Sequence, residues 1–210
     1  YGGILPMPTK KVIKGSAGGI ECVINSGEEV LKLIDNILGR DASKLVSKLG
    51  KVMICKGIFK EAYIISDTLT KVIKVIFSKG YIPYSAGLYI GRIRKSKPYF
   101  IPSINLLQLI YDELGLRRAI VVSDEGLKPF LYGNDILRKS VIRCYEPLSK
   151  NDVVGIVGTD GYVYGVGLCA MESCNDLRRL GDLDLVAKNV FDVGWYLRGG
   201  TEARERMFKV

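Results

Sequence analysis

The chain has 210 residues, 48% hydrophobic and 25% charged, with 31 Lys and Arg against 22 Asp and Glu and a net charge of +9. That length and mix suit one large domain or two small ones with a real core, and exclude a disordered chain. Histidine is absent, which removes Ser-His-Asp triads, Cys-His pairs, His-bearing zinc sites and any His general base.

No apolar run reaches the ~18 residues of a membrane helix. The basic residues between Tyr1 and Lys14 are not followed by an apolar stretch, so no secretory signal is visible. The first residue is Tyr rather than Met, which is compatible with a trimmed start. The charge excess is uneven. Residues 1–115 hold 17 Lys/Arg and 9 Asp/Glu, while residues 116–210 hold 14 and 13. A basic balance favours polyanionic partners, nucleic acid first and acidic membrane surfaces second. A C-terminal nucleic-acid reader therefore needs a local patch. Gln108 is the lone glutamine, and Ile, Lys and Val abound, a composition that leans towards a thermophile.

Taken in chain order, residues 1–20 are rich in Gly and Pro and read as an irregular lead or short strands. After Ser26, apolar residues from Val30 to Leu38 recur at three- and four-residue steps, with Glu28 and Glu29 in the first turn; this predicts a helix stopping at Gly39. A second helix is expected over Ala42–Leu49. Lys51–Phe59 and Ala62–Ile65 read as strands. Ser66 or Asp67 caps a helix over Thr68–Ser78. Tyr81–Arg94 and Pro98–Ile101 read as strands around the basic turn Arg94-Lys95-Ser96-Lys97, and Ser103 caps a helix over Ile104–Leu114.

From Arg118 the texture changes to short strands: Ala119–Val122, Val141–Cys144, Asp152–Val157, Tyr162–Ala170 and Leu185–Val190. A brief helix is expected over Asp135–Lys139. Asp160-Gly161 suits a type I′ hairpin turn. Residues 201–210 read as a tail. The expected organisation is an α/β (α+β) domain over 1–115, a small mostly-β pseudo-barrel over 116–200 and the tail over 201–210.

Five cysteines, Cys22, Cys55, Cys144, Cys169 and Cys174, form no C-x-x-C. Buried free thiols in a reducing compartment are expected, with a Cys169–Cys174 disulfide or half a metal site as the alternative. The glycines between Gly155 and Gly167 match neither phosphate-loop spacing and read as turn and strand-crossing positions. Arg92, Arg94, Lys95 and Lys97, followed by Tyr99 and Phe100, read either as a phosphate-contacting ridge with a stacking ring or as a solvated turn with inward aromatics. Arg138, Lys139 and Arg143 flank the Gly133 turn and read either as phosphate contacts lining a shallow groove between a helix edge and a strand or as ordinary charges on a surface helix.

The segment Phe130-Leu131-Tyr132-Gly133-Asn134-Asp135-Ile136-Leu137, with Asp152-Val153-Val154 and Gly161-Tyr162-Val163-Tyr164-Gly165-Val166-Gly167, closely resembles the PUA domain, the module named for pseudouridine synthases and archaeosine transglycosylases. Asn151 stands where that pattern often has Gly, and Lys139-Ser140 where it often has Pro-Gly. Gly87–Leu107, Phe130–Asn134 and Asp192–Arg198 further resemble the Nip-seven family of large-subunit ribosome biogenesis factors. The resemblance covers about 87–200 and implies an N-terminal α/β domain, a PUA pseudo-barrel, RNA binding and ribosome assembly without catalysis, cofactor or metal. It implies precursor rRNA as partner, assembly proteins met through the N-terminal domain, no membrane, and a cytoplasmic or, in a eukaryote, nucleolar place. PUA domains meet RNA along the edge beside the glycine turn. Arg138, Lys139, Arg143, Arg178, Arg179 and Lys188 are therefore the candidate RNA contacts, provided the first and last strands of the barrel are neighbours. The alternative for Arg178-Arg179 is pairing with Asp176, Asp182 or Asp184 in a solvated loop. An RNA-targeting subunit of a modification enzyme is the rival function. An active site in the N-terminal domain is a third reading, but that domain lacks the aspartate-bearing motif of a pseudouridine synthase.

Overall fold

The computed structural model describes residues 13–83, 85–97, 99–196 and 198. The first half is an antiparallel meander of six strands, β1 Ile13–Ala17, β2 Ile20–Asn25, β3 Lys51–Lys56, β4 Lys60–Ile65, β5 Leu88–Ile93 and β6 Phe100–Pro102, lying in the order of the sequence. Both faces are covered, so the central strands are apolar on both sides rather than alternating. Val52, Ile54, Ala62, Ile64 and Ile90 face the helices α1 Glu28–Leu38, α2 Arg40–Leu49 and α4 Ile104–Leu114. Cys22, Ile24, Met53, Tyr63 and Ile65 face α3 Asp67–Ser78 through Ile73 and Phe77.

Local chemistry sets the helix starts. Ser66 Oγ accepts from the Leu69 N–H at 3.2 Å and caps α3, so the cap is Ser66 rather than Asp67. Ser103 Oγ accepts from the Leu106 N–H at 3.1 Å and donates to the Tyr89 carbonyl at 2.7 Å. It thus caps α4 and ties it to β5, a cap of about 1 kcal/mol. The strand expected from Tyr81 begins only at Leu88.

The second half holds β7 Ala119–Val122, α5 Asp124–Leu131, β8 Ile136–Leu137, β9 Val141–Tyr145, β10 Val153–Val157, β11 Val163–Cys169 and β12 Leu185–Asp192. The sheet order is β8-β12-β11-β10-β7-β9. Its two outer strands, β8 and β9, are consecutive in the chain and are joined by the three-residue 3₁₀ turn Arg138–Ser140. A six-stranded sheet whose ends are that closely tethered must curl. Inside the curl lie Ile120, Val122, Phe130, Ile136, Val154, Ile156, Val186 and Ala187.

Helix α4 serves both halves. Leu106, Leu107 and Ile110 are fully buried, in one apolar cluster with Val153, Val157, Val163, Val166 and Val190. Gln108 Oε1 accepts from the Val163 N–H at 2.8 Å. Tyr111 Oη donates to the Arg118 carbonyl at 3.2 Å. Burial pushes the Tyr111 hydroxyl far above the usual tyrosine range. Tyr111 approaches β10 closely because position 155 is glycine; a Cβ there would stand 2.4 Å from the phenol oxygen.

Three expectations are corrected. The brief helix after Gly133 is the strand β8 and the 3₁₀ turn; Ile136 is buried and pairs with Ala187 of β12. The helix of this region is α5, upstream of the glycine and capped by Ser123. The 158–162 hairpin is not type I′, because Gly161 has φ of +85° but Asp160 does not enter the left-handed region. Asp160 instead accepts from the Tyr162 N–H at 3.1 Å and the Tyr164 hydroxyl at 2.7 Å; the latter bond holds its carboxyl below the usual range and raises the tyrosine. The cysteines form two disulfides, Cys22–Cys55 and Cys144–Cys174, leaving Cys169 free and buried. The first joins directly opposed positions of β2 and β3.

Candidate nucleic-acid interface

The seam where the curled sheet meets itself is built by Arg138. Its main-chain N–H donates to the Asp184 carbonyl at 2.9 Å and that of Lys139 to the Asp182 carbonyl at 3.0 Å. The Arg138 side chain donates from Nε to the Leu177 carbonyl at 2.7 Å. These bonds hold the loop between β11 and β12 against the seam. The Cys144–Cys174 disulfide anchors the same loop from β9, and Glu146 Oε1 accepts from the Cys174 N–H at 2.7 Å. A 3₁₀ turn, Cys174–Arg178, opens with a capping box between Ser173 and Asp176.

This loop presents Arg178 and Arg179, both exposed. Neither forms an ion pair with a described residue, and two of the three suspected carboxylates are otherwise engaged. Asp176 Oδ2 accepts from the main-chain N–H groups of Glu172 and Ser173 at 2.8 and 3.1 Å. Asp184 Oδ2 accepts from the Gly181 N–H at 2.7 Å. The acids shape the loop and leave its arginines to solvent.

Lys139 is exposed at the seam, and Arg138 beside it is half-buried. Arg143, exposed on β9 one residue before the disulfide, has its guanidinium 5.6 Å from the Tyr145 ring centroid. Lys188 is exposed on β12; its neighbour Asn189 donates its main-chain N–H to Asp135 Oδ1 at 2.8 Å. The ladder places β7 beside β10 and β9, and β12 beside β11 and β8. The first and last strands are therefore not neighbours, and it is the β8–β9 closure that brings the 138–139 and 178–179 cations together.

The glycine turn is braced from β12, through residues outside the sequence-based candidate set. Gly133 has φ of +90°. Asn189 donates from its amide to the Phe130 carbonyl at 2.9 Å and to Asp192 at 3.1 Å. Arg198 makes two 3.0 Å bonds to the buried Asp192 carboxylate and also reaches the Leu131 carbonyl. This explains the Asp192–Arg198 motif physically: it pins the end of α5. Asn151, with φ of +67°, occupies a left-handed position that Asn tolerates better than other side-chain-bearing residues.

In the first half, Arg92 does not belong to an exposed ridge. It is 3% exposed, 3.7 Å from Glu61 Oε1, and its guanidinium stands 3.5 Å from the Phe59 ring centroid. Phe100 is fully buried, which removes it as a stacking ring. Lys95, Lys97 and Tyr99 are exposed, and Arg94 is half-buried. Among the described residues there is no group of three or more His, Cys, Asp and Glu able to hold a metal ion. No helix among them is long and apolar enough to cross a membrane.

Comparison with known proteins bears on the fold of the second half and on the chain's relatives. Residues 118–201 match the family model of the UPF0113 PUA domain. Over 114 residues the chain is 32% identical to the 60S ribosome subunit biogenesis protein nip7 of Schizosaccharomyces pombe. That stretch is 54% of this chain and 61% of the yeast protein, so the chain spans less than two thirds of the curated relative it matches. Among solved structures, the fold is similar to a conserved PUA domain protein from Thermoplasma acidophilum (TM-score 0.53, 15% identity, 81% of this chain and 93% of that one). It is also similar to a hypothetical protein of Pyrococcus horikoshii (TM-score 0.56, 15% identity, 82% and 94%).

Proposed function

We propose that this chain, a Nip7-type protein whose residues 118–201 carry a PUA domain, is an RNA-binding factor of large-subunit ribosome assembly that grips precursor rRNA along the β8–β9 seam. The observation that carries the reading is the loop of Arg178 and Arg179. It is anchored by a disulfide and by Arg138, and the carboxylates of Asp176 and Asp184 are occupied by main-chain N–H groups. A loop built to hold two arginines in solvent, beside Lys139 and Arg143, suits phosphate oxygens and unpaired bases, which guanidinium groups both fork onto and stack against. Lys188 extends the cationic surface along β12.

On this reading the work is recognition rather than catalysis, and assembly proteins meet the N-terminal half. The site of action is the cytoplasm, or the nucleolus if the source is eukaryotic. The test is RNA titration of the full chain carrying Arg178→Ala and Arg179→Ala, set beside Lys71→Ala and Lys74→Ala on α3, which removes equal charge elsewhere. The seam pair is expected to lose roughly tenfold in affinity, two phosphate or stacking contacts' worth, and the control pair less than about twofold. Equal losses would reduce the effect to bulk charge and end the assignment.

A further inference from the structure

We infer that the first half carries a second, separate RNA-binding surface, formed by three hairpin tips aligned at one end of the meander. The strand register brings them together. Ala17 pairs with Ile20, Glu21 with Lys56, Lys56 with Lys60, Lys60 with Ile93, and Ile93 with Phe100. The β1–β2, β3–β4 and β5–β6 turns therefore stand side by side. At about 4.8 Å per strand the row from β1 to β6 spans roughly 24 Å, a length a few nucleotides of extended single strand cover.

The chemistry of the row fits a nucleic-acid strand. Lys56, Lys95 and Lys97 are exposed and form no ion pair with a described residue. The half-buried Arg94 donates from Nη2 to Ser96 Oγ at 3.4 Å. Tyr99 is 47% exposed and Ile58 78%, offering a ring and a flat apolar face among the cations. Between the first two tips lies an open cleft lined by Ser16, Gly18, Gly19, Lys56 and Gly57. The carboxylates nearby are three: Glu61 is engaged by Arg92 and by the Tyr63 hydroxyl, Glu29 by Lys60 at 2.6 Å, and Glu21 is exposed on the wall of the cleft. Buried Arg92, stacked on Phe59, stiffens the base of the second and third tips and makes no phosphate contact itself. Free cations with an exposed ring favour a phosphate backbone with a stacked base over an apolar protein partner.

The inference rests on the RNA-binding reading of the chain but not on the seam, and the test separates the two. Full-length protein is titrated with fluorescein-labelled oligouridylates of about 20 and about 6 nucleotides, the first longer than the roughly 4–16 nucleotides that one small binding fold covers and the second within that range. The variants are Lys56→Ala/Lys95→Ala/Lys97→Ala, Tyr99→Ala and the seam pair at Arg178 and Arg179. The tip triple variant is expected to bind the long RNA about tenfold more weakly. Its salt slope should be shallower by about 2, three phosphates at roughly 0.7 each. Tyr99→Ala is expected to lose about fivefold and to abolish an ultraviolet cross-link mapped to residues 94–99. Wild-type affinity and slope in the triple variant, with no cross-link at the tips, would overturn the inference and leave that end to a protein partner. If instead the tip variants lose binding and the seam pair loses none, the inference stands and the seam assignment falls.

Discussion

The two sheets deal differently with the unpaired edges that any open sheet exposes. Among the described residues the meander β1–β6 leaves β1 and β6 as edges, and helices cover both its faces. The curled sheet also packs against helices, α4 and α5, but joins its edge strands to each other through three residues. A layered sheet leaves its hairpin ends free to carry chemistry. A curled one concentrates it where the ends meet, because loops from distant sequence positions must be fastened there.

The strongest test of this contrast is a cavity on each side. Phe130→Ala in the curl and Phe100→Ala in the meander, both fully buried, should each cost about 3–5 kcal/mol in urea denaturation. Because α4 is shared, each should shift a single unfolding transition. Two separable transitions would show that the halves are independent and that α4 belongs to one of them.

Next come the disulfides, one per sheet. They close loops of similar separation, 33 residues for Cys22–Cys55 and 30 for Cys144–Cys174. Replacing either pair by serine should cost about 3 kcal/mol. Only the loss of Cys144–Cys174 should also weaken RNA binding, several-fold, since it alone anchors the arginine loop. Equal effects on RNA would mean that loop order is irrelevant to recognition.

Smaller still is Tyr111→Phe, which removes the bond to the Arg118 carbonyl at about 1 kcal/mol. The tyrosine's folded pKa is raised by burial. Its contribution is therefore fully present below the unfolded value of about 10 and is lost as pH rises above it. Wild type should lose stability above about pH 10 more steeply than the Phe variant; parallel curves would show that the phenol is reached by water. Least in energy is Cys169, whose thiol burial pushes up to about 11. In folded protein at pH 8 it should resist iodoacetamide after both disulfides have been reduced, and rapid labelling would show that the curl opens locally.

Helix periodicity made α1 to α4 legible from the sequence, helped at α3 and α4 by serine caps, and short apolar runs made most strands so. Register was not legible, and most corrections trace to it. Cys22 and Cys55 face each other only once β2 and β3 are aligned. Arg92 looked like its basic neighbours, but its inward position on β5 buries it against Phe59. Helix α5 was obscured by Gly126 and Pro129 within it. At the seam the candidate cations were found by motif. Their freedom from Asp176 and Asp184 was invisible, because it depends on which main-chain N–H groups those carboxylates accept from.

Helix α4 also imposes an order on the birth of the molecule. Synthesis runs from the N-terminus, and Gln108 must await the Val163 N–H, 55 residues later. Until β10 to β12 have been made, Leu106, Leu107 and Ile110 lack part of the wall that encloses them. The nascent first half thus carries an unfinished apolar face, the kind of surface that chaperones shield and that aggregates when left bare. A chain truncated after Gly115 inherits that exposure permanently, so the meander, although all six of its strands have been made by then, is not finished until the curled sheet docks.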